Sequence, residues 1–159
     1  MLTLGSALTV SPLAVVAAQQ PTSVTWSAHA PPTVIPGSTV SIAVAATIAP
    51  GWHVYSLTQP AGGPSALSFA FPDGSVASIA TPVRGPKPRV ETQPAFDVPV
   101  ELYDEGTSAF VVPITLKADV PDGPKSLRLR ATWQACSKSI CMLPRSQDID
   151  VPIVVRRKR

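Results

Sequence analysis

The sequence has few of the side chains from which most catalytic sites are built. Its 159 residues include only two histidines and two cysteines, and charged residues make up 14% of the chain. It contains no serine-histidine-aspartate triad, no glycine-rich phosphate loop and no partnered pair of carboxylates suited to acid–base chemistry. These absences argue against the commonest hydrolase and nucleotide-binding classes.

Positive charge is scarce outside the last four residues. The formal net charge is +3, but Arg156, Arg157, Lys158 and Arg159 supply four of the 13 Lys and Arg residues. Without them the formal charge is −1, and a near-neutral body offers no patch that would bind a nucleic-acid backbone. We therefore expect no nucleic-acid partner, and we interpret residues 156–159 as a basic tail.

Long apolar stretches are missing after the first twenty residues. Residues 1–18 carry no charged side chain and end in small residues up to Ala18, as a signal-peptidase site does. Small and helix-breaking residues interrupt this stretch, which disfavours a stable spanning helix. We predict a signal peptide over residues 1–18, with a retained N-terminal anchor as the alternative. The rest is expected to be one soluble, monomeric, periplasmic domain over residues 19–155.

Proline, in contrast, is abundant, with 19 residues. Because proline lacks a backbone donor and breaks helices, this content favours short strands joined by fixed turns. Residues 82–99 hold five prolines and no sustained period, which predicts a long loop with one short edge segment. Apolar residues alternate with polar or smaller ones at 24–28, 40–48, 67–71, 110–116, 127–135 and 149–155. This pattern predicts an all-β fold, an immunoglobulin-like antiparallel β-sandwich.

The two cysteines, Cys136 and Cys141, lie at the end of the strand predicted over residues 127–135. The four residues between them are short and polar apart from Ile140. Such a segment suits a tight turn, and two cysteines that flank a tight turn can reach disulfide distance. Because Ala135 belongs to the buried set of the strand, alternation puts Cys136 on the outer face or at the strand's end.

Three kinds of chemistry fit this pair. A structural disulfide across so short a loop would stabilise the fold by only about 2 kcal/mol. Thiol–disulfide exchange is favoured by Lys138, whose charge would stabilise a nearby thiolate. Copper binding would use the soft or borderline ligands Cys136, Cys141, Met142 and His53, but a blue-copper site would need both histidines to converge. The residues alone leave exchange and a structural bridge open, and we expect neither a metal nor another cofactor.

A series of short motifs carries a family resemblance. The motifs are GWHVY at residues 51–55, VELY at 100–103, VPITL at 112–116 and TWQAC at 132–136, followed by Cys141 and Pro144. In their order and spacing they resemble the N-terminal periplasmic domain of the thiol:disulfide interchange protein DsbD family, over roughly residues 22–155. The resemblance implies an immunoglobulin-like sandwich that carries a redox-active pair, with Cys136 and Cys141 as the catalytic residues.

The resemblance also implies roles for residues around the pair. In the family a cap loop with an aromatic residue covers the disulfide and opens on docking. Residues 93–97 occupy that place here, which makes Phe96 the expected cap residue, and Cys141 is expected to attack substrates. His53 and Tyr55 match family positions that line the site. The alternatives are ordinary strand packing for His53 and Tyr55, and a core aromatic that anchors the loop for Phe96.

The chain departs from the family pattern in two respects. Gln93 and Pro94 stand where acidic residues often flank the cap aromatic, and Glu91 and Asp97 are the nearest acids. His53 stands where a tyrosine is common. Both departures fall on the expected surroundings of the disulfide and not on the cysteines themselves.

The function implied by the resemblance is that of a protein-disulfide reductase component. In the family this domain takes electrons from the membrane-embedded part of the same protein. It passes them to periplasmic partners such as the disulfide isomerase and the thioredoxin-like proteins of cytochrome c maturation. Because the sequence ends at Arg159 without such a membrane domain, we expect a separate donor, or a chain that is part of a longer protein. The alternatives are a non-enzymatic, extracytoplasmic immunoglobulin-like binding module with a structural disulfide, and a copper-binding module.

Overall fold

The computed structural model describes residues 22–72 and 74–157, and within them the protein has an all-β, immunoglobulin-like fold. The signal peptide predicted over residues 1–18 lies outside the described residues, as do Lys158 and Arg159 of the basic tail. The described residues form no helix, so none of them belongs to a helix long and apolar enough to cross a membrane.

Twelve strands follow one another in the described part of the chain. They are β1 (Val24–His29), β2 (Thr33–Val34), β3 (Thr39–Ile48), β4 (Trp52–Tyr55), β5 (Ser68–Ala70), β6 (Ala77–Ile79), β7 (Arg89–Glu91), β8 (Val100–Tyr103), β9 (Gly106–Leu116), β10 (Gly123–Trp133), β11 (Ala135–Ser137) and β12 (Arg145–Val155). The alternation predicted from the sequence is confirmed in the long strands, where buried and more exposed residues follow one another along β1, β3, β9 and β12.

Two four-stranded sheets share the main core. The first sheet has the order β1-β3-β9-β6 and the second has the order β2-β12-β10-β5. Neighbouring strands run antiparallel, except that β2 pairs in parallel with the end of β12 through Thr33 and Val154. Because every second side chain points to the same side of a strand, each sheet has one apolar face, and these two faces bury each other.

Aromatic side chains join the two sheets across this core. Trp26 of β1 packs against Phe69 of β5 and Trp133 of β10, with ring centroids 5.8 and 5.3 Å apart. Phe110 of β9 lies 5.7 Å from Phe69. Burial of each large apolar side chain contributes roughly 1.5–3 kcal/mol. The fold therefore has a large source of stability that lies apart from the cysteines.

A third sheet, with the order β11-β4-β8-β7, positions the cysteines. Its inner face joins the main core through Val54, Tyr103 and Ala135. Its outer face carries a second buried cluster, formed by Tyr55, Val100, Leu102 and Cys136 with Phe96 packed against them. Since neighbouring residues in a strand face opposite sides, the sheet contributes to both clusters at once.

The strand predicted over residues 127–135 is interrupted, and that part of the prediction is wrong. β10 ends at Trp133 in the second sheet, and β11 begins at Ala135 in the third. Gln134 lies at the junction, where its side-chain Oε1 accepts a hydrogen bond from the Ser65 amide at 3.1 Å. Its backbone carbonyl accepts one from the Tyr55 amide at 3.3 Å. The apolar pattern continues through the junction because both strands face the same core.

The short edge segment expected within residues 82–99 is confirmed. It is β7, which pairs antiparallel with β8 and forms one edge of the third sheet. The start of this loop is held on β9, because Arg84 and Val111 exchange backbone hydrogen bonds of 3.0 and 2.8 Å. The loop is thus attached at two points, one on the first sheet and one on the third.

Candidate functional site

Cys136 and Cys141 form a disulfide with their Cα atoms 4.0 Å apart. The turn between them is closed by a hydrogen bond of 2.8 Å from the Ser137 amide to the Ile140 carbonyl. The Ser137 hydroxyl also accepts hydrogen bonds from the backbone amides of Ser139 and Ile140, at 3.3 and 3.2 Å. The short polar side chains noted in the sequence therefore stabilise the turn that brings the cysteines together.

The two cysteines differ sharply in exposure. Cys136 is 1% exposed, whereas Cys141 is exposed to solvent. The expectation that Cys136 lies on the outer face of its strand is correct, but that face is covered and Cys136 is not exposed. Alternation does put it on the face opposite to Ala135, but Phe96 and the residues of the second cluster cover that face. Alternation shows which side of a strand a residue occupies, and it gives no information on what covers that side.

An open cleft of about 720 Å³ lies beside the disulfide. It is lined by both cysteines, by the turn residues 137–140 and by residues 93–95 of the loop. Charged residues of both signs also line it, namely Arg89, Glu91, Asp104, Glu105 and Lys138. Of the two cysteines, Cys141 is the one that a group entering this cleft can approach, because Cys136 is buried.

The Tyr55 hydroxyl lies close to both sulfurs. Its side chain is fully buried, and its hydroxyl lies 3.3 Å from the Sγ of Cys136 and 4.0 Å from the Sγ of Cys141. Burial raises the pKa of Tyr55, and the negative charge of Glu91 acts in the same direction. The hydroxyl therefore stays protonated over the physiological range.

Gln93 connects Tyr55 to the acidic side of the cleft. The Tyr55 hydroxyl donates to Gln93 Oε1 at 2.8 Å, and Gln93 Nε2 donates to Glu91 Oε1 at 2.6 Å. The hydrogen bond from Gln93, followed in size by that from Arg89, holds the pKa of Glu91 below its usual value. Gln93 was noted in the sequence only as a departure from the family pattern. In the structure it lies at the centre of the site's polar contacts.

His53 lies directly opposite Cys136 in the pairing of β4 with β11. Its ring meets that of Tyr55 edge-on, with centroids 5.6 Å apart, and its Nε2 is 3.3 Å from Gln93 Nε2. Burial lowers the pKa of His53, and the charge of Glu91 opposes that shift. The ring is therefore neutral at pH 7.

Arg89 and Asp104 belong to the same network and were missed by the sequence reasoning. The Arg89 guanidinium donates to both oxygens of Asp104, at 2.8 and 2.9 Å, and also to Glu91. These hydrogen bonds raise the pKa of Arg89 and lower that of Asp104. The contact depends on the pairing of β7 with β8. The one available signal was the close spacing of Arg89 and Glu91 on a single strand.

Phe96 packs where a cap residue is expected. It is half-buried against the second cluster, and its ring meets that of Tyr55 edge-on with centroids 6.0 Å apart. The turn from the Gln93 carbonyl to the Phe96 amide, at 3.0 Å, holds this part of the loop. The structure therefore brings together all five residues that the sequence singled out, Cys136, Cys141, His53, Tyr55 and Phe96, while their roles stay predictions.

A metal centre finds little support around the pair. Among residues 22–72 and 74–157, no group of three or more His, Cys, Asp or Glu side chains is arranged to hold a metal ion. The two histidines lie in different sheets, His29 at the end of β1 and His53 in β4. The convergence that a blue-copper site would require is not found.

Comparison with known families gives a match over most of the chain. A model of the family described as "Thiol:disulfide interchange protein DsbD, N-terminal" matches residues 19–153. No curated protein sequence matches the chain significantly.

Three solved structures show distant similarity to the chain. The N-terminal periplasmic domain of ScsB from Proteus mirabilis is 19% identical with a TM-score of 0.49, over 80% of this chain and 44% of that one. A family 123 glycoside hydrolase from Clostridium perfringens is 10% identical with a TM-score of 0.36, over 86% and 28%. The CssB subunit of colonization factor CS6 of enterotoxigenic Escherichia coli is 9% identical with a TM-score of 0.40, over 84% and 97%. The chain thus spans less than half the length of the ScsB chain.

Proposed function

Because the chain belongs to the family of N-terminal domains of the thiol:disulfide interchange protein DsbD, we propose that it carries electrons between other proteins. It accepts two electrons from a dithiol of a membrane-embedded donor and passes them to extracytoplasmic partners through Cys136 and Cys141. The partners are thioredoxin-like proteins and a disulfide isomerase, and the domain acts as a monomer in the periplasm after removal of residues 1–18.

The single observation that carries the proposal is the unequal exposure of the two cysteines. Cys141 is exposed and lines the open cleft, whereas Cys136 is 1% exposed behind it. Exchange requires one sulfur that another thiolate can approach and a second that resolves the intermediate. A purely structural bridge has no need of an open cleft that reaches one of its sulfurs.

Reduction of the domain follows from this geometry. A donor thiolate attacks the Sγ of Cys141, the bond between the two cysteines breaks, and Cys136 leaves as a thiolate that takes up a proton. The donor's second thiolate then attacks the donor sulfur of the mixed disulfide. This step releases Cys141 as a thiolate and leaves the donor oxidised. The domain has then gained two electrons and one proton, which is held on Cys136.

Delivery to a partner reverses the sequence of bonds. The Cys141 thiolate attacks a partner disulfide and expels one partner thiol. Cys136 loses its proton and attacks the Sγ of Cys141, which re-forms the bridge and releases the second partner thiol. The partner gains the two electrons, the proton that Cys136 had carried and a second proton from solvent. Cys141 forms every mixed disulfide in this scheme.

The loop of residues 93–97 acts as the cap, with Phe96 as the side chain that shields the pair. Its packing against the cluster that contains Cys136 supports this role. A closed cap limits the access of small oxidants to a reduced pair, and its displacement by a docking partner gives the partner's sulfur access to Cys141.

The reduction potential of the pair tests the proposal most directly. Equilibration of the mature domain with reduced and oxidised glutathione should give a value of about −180 to −270 mV, the range of exchange proteins. A value below roughly −300 mV, typical of structural disulfides, would exclude an electron-carrying role. The rival interpretation, a binding module with a structural bridge, predicts this second outcome.

Trapping with single-cysteine variants tests the assignment of the two sulfurs. Cys136→Ser should form a stable mixed disulfide with a disulfide-containing partner or with glutathione, because no resolving thiol remains. Cys141→Ser is the matched control, and it should trap much less because its remaining thiol is buried. Equal trapping by the two variants would contradict the assigned roles.

A further inference from the structure

The orientation of the Gln93 amide follows from its neighbours alone. One end lies 2.6 Å from Glu91 Oε1 and the other lies 2.8 Å from the Tyr55 hydroxyl. A carboxylate can only accept hydrogen bonds, so the amide nitrogen must face Glu91 and the amide oxygen must face Tyr55. Arg89, which donates to Glu91, keeps that carboxylate in place. The amide is therefore held in one orientation.

The His53 ring completes the same arrangement. The second hydrogen of Gln93 Nε2 points to His53 Nε2, 3.3 Å away. This ring nitrogen must accept, so the proton of the neutral imidazole lies on Nδ1. The pKa of His53, lowered by burial, agrees with a neutral ring. Both hydrogens of the amide are then used, and its oxygen is left to accept.

The direction of these hydrogen bonds determines what Tyr55 can do for Cys136. Tyr55 has one hydroxyl hydrogen, and it is donated to Gln93. Only oxygen lone pairs are left to face the Sγ of Cys136 at 3.3 Å. In the disulfide this sulfur has no hydrogen to donate, but after reduction a Cys136 thiol finds a ready acceptor. A Cys136 thiolate would face lone pairs and would not be stabilised.

We propose that Gln93 is a positioning residue: held by Glu91, it orients the Tyr55 hydroxyl so that reduced Cys136 is kept as a thiol and Cys141 becomes the attacking thiolate. This role matters for turnover only if the pair exchanges as proposed above, whereas the protonation of Cys136 can be measured in the reduced protein alone. The role belongs to this chain's own residues, since it requires an amide at position 93 and a carboxylate at position 91.

The test uses the Cys141→Ser protein, in which Cys136 is the only thiol. Thiolate absorbance near 240 nm, followed against pH, reports the ionisation of Cys136 whether or not reagents can reach it. Gln93→Met keeps the length of the side chain and removes both hydrogen-bonding ends. The Tyr55 hydroxyl is then free to donate to the thiolate, and a hydrogen bond to a charged group should raise the ionisation constant of Cys136 roughly tenfold.

A double-mutant cycle separates positioning from a structural role. Because Gln93 acts through the Tyr55 hydroxyl, Gln93→Met should leave the titration unchanged in a Tyr55→Phe background. Gln147→Met, at an exposed position on β12, is the matched control and should leave the titration unchanged in both backgrounds. Gln93→Ala should reproduce the effect of Gln93→Met. Thermal unfolding of each variant verifies that it is folded.

Two results would overturn the proposal. One is a Gln93→Met titration that coincides with that of Gln147→Met, and the other is a shift that persists without the Tyr55 hydroxyl. Neither result depends on partners or on the reduction potential, so failure of the positioning role and failure of the exchange function are distinguishable.

Discussion

Gly85 lies so close to Phe110 that a methyl group in place of its hydrogen would come within 2.7 Å of the ring. The same methyl would lie 3.0 Å from the Tyr103 hydroxyl. Phe110 is 1% exposed in the main core, so the ring has little room to move. This contact fixes the start of the loop that later passes over the disulfide.

Gly85→Ala should therefore lower the free energy of unfolding by about 1–3 kcal/mol, because overpacking a buried ring displaces its neighbours. Chemical denaturation measures the loss. Phe110→Leu removes the ring and relieves the clash. In that background Gly85→Ala should lower the free energy of unfolding by less than half as much. An equal cost in both backgrounds would show that the ring is not the obstacle.

Removal of the Phe96 ring should open the site. Phe96→Ala deletes the edge-to-face contact with Tyr55 and part of the cover over Cys136. The reduced pair should then react several-fold faster with iodoacetamide and with hydrogen peroxide. Stability should fall by about 1–2 kcal/mol because the ring is only half-buried.

Phe71→Ala is the matched control for this change. Phe71 is also half-buried, but it packs against the main core and not against the second cluster. It should cost a similar amount of stability and leave both reaction rates unchanged. A Phe96 variant with unchanged rates would contradict the cap role of that residue.

Loss of the disulfide should hardly affect the fold. Cys141→Ser opens a loop of only a few residues, so the free energy of unfolding should fall by no more than about 2 kcal/mol. Urea denaturation of the variant and of the reduced wild-type protein measures this loss. A drop several times larger would favour the structural interpretation of the bridge.

The free energy of unfolding should decrease as the pH is lowered below 7, and protonation of His53 should be one cause. Its pKa is lowered in the folded protein, first by burial, so the unfolded chain takes up this proton first as the pH falls through about 6.5. Above that pH His53 is neutral in both the folded and the unfolded chain, so it causes no loss of stability there. Below that pH the loss continues until the folded pKa is reached, at a slope of at most about 1.4 kcal/mol per pH unit.

His53→Gln retains an acceptor for Gln93 and removes the titration, so its stability should fall less than that of the wild type between pH 7 and 5. Gln147→Met, at an exposed position on β12, removes no titrating group and is the control that should retain the wild-type slope. The pKa values of Glu91 and Asp104 are also lowered in the folded protein, so protonation of these carboxylates also reduces stability. That loss occurs mainly below pH 5, outside the range measured for His53. Parallel slopes for His53→Gln and the wild type would contradict the prediction.

The sequence predicted the strands of the main core well, because burial on one face imposes a period of two that is visible in residues such as Val44 and Leu129. It failed at Gln134, where a change of sheet leaves that period intact. It also failed on the exposure of Cys136, since the cover over its face comes from Phe96, which lies 40 positions earlier in the sequence.

The polar surroundings of the disulfide could be predicted only in part. His53 and Tyr55 were found through short motifs next to a turn, and Gln93 was noted only as a departure from the family pattern. The ion pair between Arg89 and Asp104 depends on the register in which β7 and β8 pair. No local pattern encodes that register, because Arg89 lies on β7, Asp104 directly follows β8, and an irregular loop joins the two strands.

The buried residues form two separate clusters, so we expect the smaller cluster to open locally while the main core opens only when the whole domain unfolds. The second cluster has only four buried members and the half-buried Phe96, whereas the main core spans both sheets of the sandwich and the inner face of the third sheet. Small units of this kind open without global unfolding. β7 pairs with β8, which carries Val100 and Leu102 of this cluster. The exchange rates of the β7 amide hydrogens should therefore depend little on denaturant concentration. The amide hydrogens of Ile42 and Leu129 should exchange only when the whole domain unfolds. Such an opening would expose the buried Cys136 while the sandwich stays folded.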